Sequence, residues 1–180
     1  DLDDLEGKAA LSEIILSKPG IEDLPVRLCS FQADLSNPLK RSYKLNSDLV
    51  SAELNGSFLP SNLQADFEQL LHELGLYFKQ NQLERLAYYA ENKPMTHQKY
   101  QSDFTITFHE PKPLLNRWFP SFEMSRNTVF FGNINSARSY QVSLESYPDT
   151  LVFGNYKFYQ SIFSLQSSKF LGSPELSSSL

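Results

Sequence analysis

The chain has 180 residues, 41% of them hydrophobic and 21% charged, a globular composition that excludes collagen, coiled-coil and wholly disordered classes. A chain of this length can hold a core without disulfides or metal, and no stretch reaches the ~20 apolar residues of a membrane-spanning helix. The net charge of -5 is carried by residues 1–23, and the remainder is neutral, without the broad basic footprint of a nucleic-acid binder.

In chain order, the acidic start predicts a flexible arm over residues 1–8, a single domain over 9–171 and a flexible Ser-rich tail over 172–180. Ala10, Ile14 and Ile15 predict a short helix across Ala9–Ser17, ended by Pro19-Gly20. Pro25–Phe31 and Asp48–Leu54 read as strands, the second because Val50, Ala52 and Leu54 alternate with Ser51 and Glu53. Cys29 reads as a small hydrophobe in the first of these. As the single cysteine it suits a reducing compartment, and a cytoplasmic location is expected.

Ser61 with Gln64 behind Pro60 is a capping-box pattern. It predicts a helix with Leu63, Phe67, Leu70, Leu71, Leu74 and Phe78 on one stripe. Gln64, Asp66, Glu68, Gln69, His72 and Glu73 fall on its wet face. A second helical stretch carries Leu83, Leu86, Ala87 and Ala90 and stops at Asn92-Lys93-Pro94.

Beyond residue 95 the texture changes, with sixteen of the 24 aromatic residues between Tyr100 and Phe170. Phe104, Ile106 and Phe108 alternate with polar residues, as do Tyr140, Val142 and Leu144, which predicts strands with one wet face. Asn127–Asn133 resembles Asp149–Asn155 at an offset of 22 residues, and the shared Gly-Asn reads as the turn of two hairpins in one sheet. The fold expected is α+β: an antiparallel sheet formed mainly by the C-terminal half, packed against one or two helices from the middle of the chain.

The chemistry-bearing residues are sparse. No phosphate loop, nucleophile elbow, zinc-helix motif or paired-cysteine motif occurs, so neither cofactor nor metal nor catalytic set is assigned. His97 and His109 are the weak acid–base candidates, with Asp103 as partner. On one strand, however, Asp103 and His109 would stand roughly 20 Å apart. The segment Glu110–Arg126 holds Pro111, Pro113 and Pro120, which argue against regular ladders. It reads either as a plug beneath the sheet or as an ordered loop presenting Arg117, Trp118 and Phe119, with Phe122 beyond, as interface residues.

The leading expectation is therefore a non-enzymatic binding protein, a subunit or adaptor whose partner is another protein or its own copy, with no membrane insertion. The first alternative is a small-substrate enzyme using His97 or His109. The second is a single-strand nucleic-acid binder stacking bases on Tyr156, Phe158 and Tyr159 near Lys157. The neutral body makes nucleic acid the weakest of the three.

Overall fold

Period-two alternation of apolar and polar side chains runs through most of the chain, and it is realised as sheet. The computed structural model describes residues 6–78, 83–84, 87–88, 99–136, 141–170 and 173–179. Nine strands form one antiparallel sheet: β1 (Gly7–Lys18), β2 (Ile21–Asp34), β3 (Arg41–Ser47), β4 (Val50–Gly56), β5 (Gln101–Phe108), β7 (Thr128–Asn135), β8 (Gln141–Ser146), β11 (Phe163–Phe170) and β12 (Ser173–Ser179), in that order. A second sheet has three strands in the order β10 (Tyr156–Tyr159), β9 (Thr150–Phe153), β6 (Phe122–Met124). Helix α1 spans Pro60–Phe78 and α2 spans Pro111–Trp118.

This overturns the α+β expectation. Among the described residues strand far outweighs helix, so the fold is mainly antiparallel β rather than a sheet covered by helices. Four local readings change with it. Ala9–Ser17 is strand β1, because residues too few for a stable isolated helix gain cross-strand partners from β2 at every position but Glu13 and Ser17. Pro19-Gly20 is the hairpin turn, with Gly20 at φ +80°, the positive value that position i+2 of a type II turn requires. Glu110–Arg126 contains helix α2: Pro111 and Pro113 sit in its first turn, where no intrahelical N–H bond is lost. Ser173–Ser179, expected as a tail, pairs with β11.

Register makes the large sheet two-faced, since residues directly opposite one another share a side. One row runs Ala33, Tyr43, Leu54, Phe104, Gly132, Leu144 and Leu165 across seven strands. The adjacent row, on the other side, runs Gln32, Lys44, Glu53, Thr105, Phe131, Glu145 and Ser164. The first side is the apolar inner face and the second is wet. Gly132 lies in mid-strand, not in a turn. A Cβ there would meet the Ser143 carbonyl oxygen and approach the Phe104 ring to 2.8 Å. Its counterpart Gly154 does turn the β9–β10 hairpin, at φ +59°, but in the other sheet.

The inner face is filled at one end. Phe58 is fully buried against Tyr43, with ring centroids 5.6 Å apart, and its carbonyl accepts from Arg41 Nη1 at 2.7 Å. Tyr100, Leu76 and Asp66 are also buried, and the Tyr100 hydroxyl donates to Asp66 Oδ2 at 2.6 Å. Asp66 therefore leaves the wet face assigned to it from its residue type. Leu63 is half-buried, while the side chains of Phe67, Leu70, Leu71, Leu74 and Phe78 lie outside the described residues, as do Leu86, Ala90 and residues 92–94.

Elsewhere the inner face is only partly covered. Phe104, Ile106, Phe108, Phe130 and Leu144 all remain half-buried. Among the described residues no helix is long and apolar enough to cross a membrane.

Candidate functional site

The uncovered part of the inner face is a cleft of about 670 Å³ between the two sheets. Its floor is Ile106 and Phe108 of β5, Phe130 of β7 and Leu144 of β8. These side chains share the inner face: Ile106 pairs with Phe130, while Leu144 stands opposite Gly132 in the next row, where the Phe104 ring packs close to the glycine. Phe108 and Phe130 meet edge to face with centroids 5.8 Å apart, the geometry that aromatic quadrupoles favour.

The opposite wall comes from the small sheet. Phe122 pairs with Phe153 and Met124 with Leu151, so these four side chains share one face. Phe122, Met124 and Phe153 line the cleft, and Leu151 is buried behind them. Leu115 of α2 and the Phe119–Ser121 turn close one side. Phe119 is 64% exposed and Phe153 63%, which places both rings at the rim. Ser121 is the one polar residue among the described lining, and none of the lining side chains ionises. The chemistry of the described lining is apolar contact.

The two described acid–base candidates, His109 and Asp103, lie elsewhere. His109 follows β5 on the wet-face parity, with Nε2 3.1 Å from Ser51 Oγ and Nδ1 3.4 Å from Asn127 Oδ1. Asp103 is near the other end of β5, between Asn55 and Asn133, so the two are not brought together. His97 lies outside the described residues. Among the described residues no cluster of three or more His, Cys, Asp or Glu side chains could hold a metal. On the exposed surface, Asn55 and Lys44 hold the Glu53 carboxyl below its ordinary value, and Glu145 raises the Tyr147 hydroxyl.

The four interface candidates separate. Phe119 and Phe122 line the cleft. Arg117 is 4% exposed; its guanidinium donates to the carbonyls of Glu22 and Leu16, the latter at 2.8 Å, at the tip of the β1–β2 hairpin. The Trp118 side chain lies outside the described residues. Of the aromatic residues considered for base stacking, strand alternation turns Tyr156 and Phe158 to one face and Tyr159 to the other. Lys157 lies over the Tyr159 ring at 5.0 Å. Sequence reading missed the floor residues as a site, because their alternation is also that of an ordinary core.

No family model, no curated protein and no solved structure matches the chain.

Proposed function

We propose that the chain is a non-enzymatic binding protein and that its ligand is an apolar chain, such as an acyl chain, held between the two sheets. The observation that carries this reading is the cleft itself: about 670 Å³, walled by half-buried aromatic and aliphatic side chains. Small-molecule sites occupy roughly 300–1,000 Å³ and draw affinity from such surfaces. With Ser121 as the one polar residue among the described lining, a polar head-group would remain in water and only the chain would be recognised. The enzyme alternative loses support because His109 faces Ser51 and Asn127 on the other side of the sheet.

The test is titration of the purified protein with a fluorescent fatty acid such as cis-parinaric acid. Saturable uptake is expected, and Leu144→Trp, which fills the floor, should weaken it by about tenfold or more. Absence of saturable uptake, or equal uptake by a folded Leu144→Trp protein, refutes the reading.

A second reading has its own observation. Phe119, Phe153 and Tyr156 are 64%, 63% and 70% exposed beside the cleft, an aromatic rim of the kind that anchors protein partners, a second copy included. If a second copy is the occupant, light scattering should show concentration-dependent association that Phe119→Asp abolishes.

A further inference from the structure

Four connections join the small sheet to the large one. Three leave it side by side, Ser125–Thr128 into β7, Ser146–Thr150 from β8 and Tyr159–Phe163 into β11, and the fourth runs from β5 through Phe108–Pro111 and α2 into β6. Register places the first three together, because Ser146 pairs with both Phe130 and Phe163 in the large sheet, while Thr150 pairs with Tyr159 in the small one. Their side of the small sheet is pinned locally. The Ser125 N–H donates to the Thr150 carbonyl at 3.0 Å, and the Thr128 hydroxyl donates to the Ser125 carbonyl at 2.6 Å.

The opposite side of the small sheet is held differently. There the Gly154 N–H donates to the Ser121 carbonyl at 2.8 Å, which couples β9 and β10 to the turn that ends α2. The end of α2 is in turn fastened to the β1–β2 hairpin, about a hundred residues away in sequence, through Arg117. Its two terminal nitrogens reach the carbonyls of Leu16 and Glu22, and Lys18 Nζ donates to the Arg117 carbonyl at 2.7 Å. These are charge-assisted bonds to main-chain oxygens, strong when closed and broken as a group when the hairpin tip moves. Phe122, Met124 and Phe153, which wall the cleft, lie between the pinned side and the fastened one.

We propose that the small sheet and α2 form a hinged flap beside the open cleft, and that Arg117 with Lys18 is the latch that fastens it to the β1–β2 hairpin tip. The gating role rests on the apolar-ligand reading above, whereas the latch itself does not. Swinging of the flap about Ser125, Thr150 and their neighbours widens the cleft for a ligand, and the latch sets how often it does so.

Hydrogen exchange of the full chain, read by mass spectrometry, tests the latch without any ligand. Two variants are used: Arg117→Met, which removes both guanidinium bonds at similar side-chain volume, and Lys18→Met, which removes one bond from an exposed position. Peptides covering residues 111–124 and 150–158 should exchange faster, by about tenfold or more in Arg117→Met and less in Lys18→Met. Strands β3 and β4 should exchange as in the parent. Unchanged flap exchange in Lys18→Met, or acceleration spread equally over β3 and β4 in that variant, overturns the latch, even if Arg117→Met fails to fold. The association rate of cis-parinaric acid should rise in step with flap exchange, and a parental rate despite faster flap exchange overturns the gating. Absence of uptake by all the proteins alongside selective flap exchange would sink the ligand reading while leaving the latch in place.

Discussion

Strand β5 crosses two regions built from the same alternating pattern and treated in opposite ways. At its start, Tyr100 and Ser102 are buried, Phe58 fills the space above Tyr43, and the Tyr100 hydroxyl meets Asp66. At its end, Ile106 and Phe108 point from the same face into an open cleft. The sheet is the same; the cover is not. Near Tyr100 the cover is side chain packed on side chain with a buried polar bond. Over Phe108 it is a second sheet that stands off and leaves about 670 Å³. Alternation makes a sheet amphipathic, but what arrives above it decides whether the apolar face becomes core or binding surface.

The largest effect should therefore come from truncating the filled end. Phe58→Ala removes a ring with no exposure and should cost about 3–5 kcal/mol in urea denaturation. Phe108→Ala removes a ring that already borders open space, and should cost about 1–2 kcal/mol, part of it the edge-to-face contact with Phe130. Equal losses at the two positions would break the comparison, because the cleft would then be as tightly packed as the core.

A change of one atom sharpens it further. Tyr100→Phe keeps the ring and removes the hydroxyl that donates to the buried Asp66 carboxylate at 2.6 Å. The expected loss is about 1–3 kcal/mol, the cost of taking a donor from a buried acceptor. A neutral outcome would mean that the polar bond positions α1 without stabilising it.

What could be read from sequence follows the range of the forces involved. Val50–Leu54 and Phe104–Phe108 alternate strictly, so their strands were legible locally. Ala9–Leu11 and Ile14–Leu16 present apolar residues at spacings that suit a helix as well as a strand. The choice is made by β2, which lies across the hairpin. Pro111 and Pro113 argued against regular structure, yet the first turn of a helix has no N–H bond for them to break. Asp66 was assigned to the wet face because its partner Tyr100 lies 34 residues on. For the site, Phe119 and Phe122 were singled out as exposed aromatics and do line the cleft. Phe130 and Leu144 were not, since a half-covered face and a full core share one pattern. Arg117 binds main-chain carbonyls, which leave no mark in the sequence.

The smallest effect should lie on the outer face. Lys44 and Glu53 stand directly opposite on β3 and β4, with Nζ 3.0 Å from Oε1 and both side chains 44% exposed. Asn55 adds a bond to the same carboxylate oxygen at 2.9 Å and is the larger cause of its lowered pKa, ahead of Lys44. At this exposure solvent screens the pair, so Glu53→Gln should cost at most about 1 kcal/mol at neutral pH, and less in high salt. The sign follows from the direction of the shift. A carboxyl whose pKa is lower in the folded chain stabilises it above the unfolded-state pKa, and that contribution fades as pH falls through the folded-state value. Parent and Glu53→Gln stabilities, measured by urea denaturation from neutral to acidic pH, should therefore differ slightly at pH 7 and converge in acid. A loss as large as that of Tyr100→Phe, or a gap that widens in acid, would mean that the wet face carries stability this comparison assigns to the inner one.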